Sequence, residues 1–147
     1  MPTAFSLMTS SVPRRAPALA PDLHLGEPIT DTMHEEFVQL LNAAASAPDD
    51  ALAAALDAWI AHTREHFAQE EAWMEAMDFG PRHCHAGQHR QVLDVAAEVR
   101  RQVADEHRFA AGRQLVSEVR EWFAWHVSAM DSMMVESLRE SGMVQAV

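Results

Sequence analysis

From Leu52 to Met77 one set of residues recurs at steps of four and three: Leu52, Leu56, Trp59, Thr63, His66, Glu70, Trp73 and Met77. An α-helix of 3.6 residues per turn lays such a set along one face, and a strand does not. A helix of this length with a single inward stripe must bury that stripe against other helices. The same repeat puts His66 and Glu70 among the apolar residues. A carboxylate taken out of water costs on the order of several kcal/mol unless a cation or hydrogen bonds compensate it. The stripe therefore raises the question of fold and the question of chemistry together.

Three further segments carry the same period. Helix A is expected to begin near Thr30 to Thr32, with Thr32 and Glu35 as a capping box, and to bury His34, Phe37, Leu41 and Ala44. "SAPDD" ends it, and helix B runs from about Asp49 to Met77, where "DFGPR" breaks the pattern. Helix C follows His85, His89, Val92, Ala96, Val99 and Val103. "ADEHRFAAG" is the expected third connection, and helix D follows Leu115, Val119, Trp122, His126, Ala129 and Met133 to a terminal Gly142. Short connections between four such helices predict an all-α, up-down-up-down antiparallel four-helix bundle over residues 29–142. The chain length of 147 suits one such domain.

Residues 1–28 hold five of the seven prolines and read as a flexible N-terminal arm, and residues 143–147 as a C-terminal tail. In the arm Arg14 and Arg15 follow the apolar residues, the wrong order for a signal peptide. No apolar run approaches the ~20 residues of a membrane span. Cys84 stands alone, so no intramolecular disulfide can form, and a reducing, cytoplasmic setting is the expectation. The formal net charge of −11 argues against nucleic acid and anionic membrane as partners.

Each helix places at least one histidine on its own seam: His34 on A, His66 on B, His85 and His89 on C, His126 on D. Residues four apart lie about 40° apart around a helix and ~6 Å along it. His66 with Glu70, and His85 with His89, can therefore each aim at one point in the bundle centre. One seam histidine is usually an ordinary packed residue. Five of them on four helices, with a carboxylate in register, point to a metal site. There are too many ligands for one structural zinc, which favours thiolates. Many imidazoles with bridging carboxylates suit a pair of iron or manganese ions. His62, one turn before His66, points to solvent or supports the site from behind. His24, His83, Cys84 and His107 fall in loops or at helix ends and read as surface residues.

The stretches "ITDTMHEEFVQLLN", "HFAQEEAWM", "HAGQHRQVL" and "WHVSAMD" together resemble the hemerythrin family, in particular the single-domain bacterial hemerythrins. In order they supply a lone His, then His-x3-Glu, His-x3-His and His-x4-Asp. The resemblance implies a non-haem di-iron centre with an oxo or hydroxo bridge. His85, His89 and His126 would hold one iron, His34 and His66 the other, and Glu70 and Asp131 would bridge them. The two-histidine iron would keep an open position for O2. Asp131 enters only through this resemblance, since position i+5 from His126 lies about 140° away on an ideal helix. Either the two residues approach from different sides, or helix D is distorted there, as by a π-bulge.

The resemblance implies reversible O2 binding for carriage, storage, delivery or sensing through a separate partner protein. Trp122, Phe123, Trp73 and Leu41 are candidates to wall an O2 pocket. Competing readings are a di-iron enzyme consuming peroxide or nitric oxide, and a metal store or structural metal bundle. Met133, Met134 and Met143 are candidates for a weak homo-oligomer contact; otherwise the chain is a monomer.

Overall fold

A computed structural model describes residues 23–144. The rest of the expected arm (residues 1–22) and of the tail (residues 145–147) lies outside the described residues. Four long helical stretches form the bundle: α1 (Pro28–Ser46), α2 (Asp49–Ala76), α3 (Arg82–Glu106), and a last rod. The rod is built of α4 (Phe109–His126), a π-helical segment (Val127–Asp131) and α5 (Ser132–Ser141). No strand occurs among the described residues. α1 and α3 each pack against both α2 and α4, the arrangement of an up-down-up-down bundle.

The start of α1 differs from expectation. The cap is Glu27, not Thr32: its carboxylate accepts from Thr30 N at 2.7 Å and Ile29 N at 3.2 Å, with Pro28 in the first turn. Asp31 reaches back to accept from Leu25 N at 2.9 Å and Gly26 N at 3.0 Å. These bonds hold the approach to the helix in place, and Leu23 and Leu25 pack on the core. At the far end of α1, the Arg113 guanidinium donates to Ala47 O at 2.8 Å and so satisfies a terminal carbonyl from α4. The third connection is also shorter than the sequence suggests. Only His107 and Arg108 separate α3 from α4, with His107 in the left-handed region at φ 55°. Gly112, read as part of a loop, is instead a packing glycine inside α4. A Cβ there would sit 2.8 Å from Val103 Cγ2 and 2.9 Å from Leu52 Cδ2. Gly142 ends α5 at φ 76°, as expected of a terminal glycine.

Two apolar clusters fill the interior. The larger runs through Phe37, Leu41, Leu52, Leu56, Trp59, Val103, Val119 and Phe123. The smaller holds Met74, Phe79, Met134, Val135 and Leu138. Along α2 and along the last rod, the buried ionisable residues lie between these clusters in sequence. The strict four-three repeat fails in the last rod. One line of buried residues runs through Leu115, Val119, Phe123, His126, Asp131, Met134 and Leu138, with Gly112, Val116, Val127 and Val135 buried beside it. The single step of five, from His126 to Asp131, coincides with the π segment. A π turn absorbs one extra residue, so everything beyond it moves one place round. Met133, expected on the seam, is therefore 53% exposed, and Met134, expected in a surface contact, is fully buried.

Candidate metal centre

Seven ionisable side chains meet in the middle of the bundle: His34 from α1, His66 and Glu70 from α2, His85 and His89 from α3, His126 and Asp131 from the last rod. All are at most 2% exposed. Spacing four on α2 and α3 brings each pair to one side of its helix, as the sequence requires. On the last rod the π segment closes the gap of five. It carries Asp131 round to the same side as His126, with 3.1 Å between Asp131 Oδ1 and His126 Nε2. Of the two ways open to Asp131, the π distortion is the one present.

The five Nε2 atoms surround four carboxylate oxygens in an ordered way. Glu70 Oε1 lies 3.2 Å from His89 and 3.4 Å from His85, and Asp131 Oδ1 lies 3.0 Å from His85 and 3.1 Å from His126. Glu70 Oε2 lies 2.9 Å from His66 and 3.8 Å from His34, and Asp131 Oδ2 lies 3.0 Å from His34. Each carboxylate thus turns one oxygen toward a group of three histidines and the other toward a group of two. Only the His66–Glu70 contact is aligned as a hydrogen bond. The Nε2 atoms of His34, His85, His89 and His126, Glu70 Oε1 and both Asp131 oxygens are buried without a hydrogen-bond partner. Orphaned polar atoms on this scale cost about 1–3 kcal/mol each in a core of protein alone. Imidazole and carboxylate are the ligands that iron and manganese accept, so the donor set fits a pair of such ions. The groups Glu70, His85, His89, His126, Asp131 and His34, His66, Glu70 each gather their ligand atoms closely enough for one ion.

The electrostatics of the metal-free cluster follow from burial and pairing. Burial opposes charge on His34 and His85, but contact with Asp131 and Glu70 prevails and raises both to about 9. For His126 burial prevails and its pKa falls. Burial would raise Glu70, yet the neighbouring His66, His34 and His85 hold it well below the usual carboxylate range. Asp131 is lowered in the same way by His126, His34 and His85, against both burial and repulsion from Glu70. Without metal, protons take the place of cations.

A ring of supporting contacts lies behind the seven. His89 Nδ1 is 2.8 Å from Glu71 Oε2, and His126 Nδ1 is 3.1 Å from Gln88 Oε1. A carboxylate or amide oxygen accepts only, so both Nδ1 atoms carry the proton and leave Nε2 free to ligate. Glu71 and Gln88 were missed in the sequence. The available signal was position, one residue from Glu70 or from His89 on the same helix. His62 corrects the solvent reading: it is half-buried, its Nε2 is 3.2 Å from Met33 O, and its ring meets His66 edge-on at 5.6 Å. It makes no hydrogen bond to any of the seven.

The four expected pocket residues divide. Phe123 meets the His34 ring edge-on at 5.1 Å and stacks on Phe37 at 4.0 Å, and Leu41 belongs to the same cluster. Trp122 instead stacks on His126 at 4.3 Å, at the three-histidine end. Trp73 packs with Met74 and Met134 in the smaller cluster. His24, His83, Cys84 and His107 are all exposed, as read from the sequence. No helix among the described residues is long and apolar enough to cross a membrane.

Comparison with known proteins agrees with this geometry. The family model described as Hemerythrin HHE cation binding domain matches residues 26–138. A bacteriohemerythrin of Ralstonia nicotianae is 53% identical over 120 residues, covering 82% of this chain and 87% of that protein.

Proposed function

The chain belongs to the hemerythrin family, and from that premise we propose that it binds O2 reversibly at a non-haem di-iron centre. His85, His89 and His126 would hold one iron and His34 and His66 the other, with Glu70 and Asp131 shared between the two groups. The observation that carries this reading is the division of each buried carboxylate between a three-histidine and a two-histidine group. Two ferrous ions supply the two electrons that reversible O2 binding requires. The protein supplies the rest. Three imidazoles would crowd one position, whereas two would leave room at the other, so O2 would be taken up on the His34 and His66 side.

Phe123 and Phe37 wall that side, edge-on to His34 and His66. Their apolar faces keep water away, and exclusion of water slows the proton-assisted loss of electrons that would leave the irons ferric.

The test is metal content with an optical spectrum, taken on anaerobically reduced protein before and after air. Two irons per chain, with visible bands that appear on O2 and vanish on its removal, are expected. Irons that pass straight to a stable ferric spectrum would favour an enzyme or sensor. Zinc, or fewer than two metals, would defeat the di-iron assignment.

A further inference from the structure

The two ends of the centre are supported unequally. At the three-histidine end, His89 Nδ1 meets the Glu71 carboxylate at 2.8 Å, and His126 Nδ1 meets the Gln88 amide oxygen at 3.1 Å. At the two-histidine end, the Nδ1 atoms of His34 and His66 are buried with no hydrogen-bond partner among the described residues. His85 Nδ1 is in the same condition, so within the three-histidine group His89 alone has an anionic partner. Ring packing does not distinguish the ends: Phe67 stacks on His89 at 3.7 Å, Trp122 lies on His126, and Phe123 and Phe37 flank His34 and His66.

We infer that Glu71 is a positioning residue that makes the three-histidine position the tighter one, filled first and emptied last. This rests on the di-iron reading above. A carboxylate accepting from Nδ1–H fixes the tautomer and the ring angle and makes Nε2 a stronger donor to a cation. A neutral amide does the same more weakly, and an unsupported imidazole must be oriented by packing alone. Glu71 also meets solvent. Its side chain is 43% exposed where that of His89 is 1%. A groove of about 320 Å³ between α2 and α3 opens onto it, lined by Arg64, Glu71, His89, Arg90 and Asp94. A surface substitution can therefore reach the inner ligand without disturbing the core.

The experiment is anaerobic titration of the metal-free full chain with Co(II), followed by visible absorption and calorimetry. The wild-type chain is expected to take two ions in a tighter and a weaker step. In Glu71→Ala the tighter step weakens by roughly 10–100-fold, the usual cost of losing such a partner, and the weaker step stays put. Glu71→Gln, which keeps an acceptor without its charge, falls between. Asp94→Asn, in the same groove but without a bond to His89, leaves both steps unchanged. In proton spectra of the Co(II)-loaded protein, one paramagnetically shifted imidazole N–H signal moves and exchanges faster in Glu71→Ala, which a purely structural effect would not do selectively. Unchanged affinities in Glu71→Ala, or an equal loss at both steps, would overturn the inference. So would two ions taken up by the wild type in indistinguishable steps, while leaving the di-iron reading intact. Fewer than two ions in the wild type would defeat both.

Discussion

At the scale of single residues, the centre depends on where a few nitrogen atoms point. His34 is the sole ligand candidate from α1, fully buried, with Nε2 between Asp131 Oδ2 at 3.0 Å and Glu70 Oε2 at 3.8 Å. Truncating it strips the two-histidine group to His66. His34→Ala is expected to hold one metal firmly, lose the second, and lose the O2-dependent spectrum. Metal analysis alongside circular dichroism checks this. Loss of helix content together with both metals would show instead that His34 is needed for folding. The carboxylates are more exacting. Each of Glu70 and Asp131 serves both groups, so changing either to alanine should remove binding at both positions, whereas His34→Ala should remove one.

At the scale of elements, the π segment is what allows the last rod to serve two masters. Upstream of it Phe123 and His126 face the interior; downstream Asp131, Met134 and Leu138 do. A uniform α-helix could satisfy one half but would swing the other about 100° per residue of mismatch. Deleting the exposed Ser128 should remove the extra residue and convert His-x4-Asp into His-x3-Asp, the spacing that already works for His66 and Glu70. That variant is expected to fold and bind two metals. Deleting the exposed Glu121 gives the same chain length but moves Phe123 and His126 off the seam, and is expected to abolish binding. The pair is read out by metal content, and equal behaviour would refute the register argument. A second element-scale prediction concerns the closeness of α4 to α2 and α3. Gly112→Ala puts a methyl against Val103 and Leu52. Overpacking of this kind should cost about 1–3 kcal/mol, measured by denaturant unfolding.

At the scale of the molecule, folding and metal binding are one equilibrium. The layer of seven buried ionisable groups interrupts the apolar interior, so metal bound only by the folded state stabilises it by mass action. At a thousandfold excess over Kd that is about 4 kcal/mol. Chelation should therefore lower the melting temperature by on the order of 10 °C. The metal-free protein should also have its own pH profile. His34 and His85 titrate at about 9 in the fold and 6.5 outside it. The stability they contribute is complete below 6.5 and is lost as pH rises through 9. Glu70 and Asp131 are depressed, so their contribution is present above the ordinary carboxylate range and is lost on acidification. The metal-free chain should unfold more easily at pH 9 than at pH 6.5, by denaturant midpoint. The loaded chain should instead shed metal as pH falls, because protons compete for the same nitrogens.

Much of this was legible in the amino-acid sequence. The four-three repeat of apolar residues specifies helices, short breaks at Ala47–Pro48 and around Gly80 specify antiparallel neighbours, and spacing four puts His66 with Glu70 and His85 with His89. These are local periodicities, set by backbone geometry that every helix shares. Tertiary structure decided what periodicity cannot carry. The π segment arises because Asp131 and Met134 must face the same interior as His126, a demand made by the other three helices and not by the residues of the rod. Glu71 and Gln88 stand beside Glu70 and His89 in the chain, but the rings they meet, His89 and His126, belong to other helices, and no spacing within one helix pairs them. Gly112 looks like a turn until Leu52 and Val103 close around it. The division of each carboxylate between three and two histidines exists only where four helices meet, because it depends on distances between side chains up to a hundred residues apart in the chain.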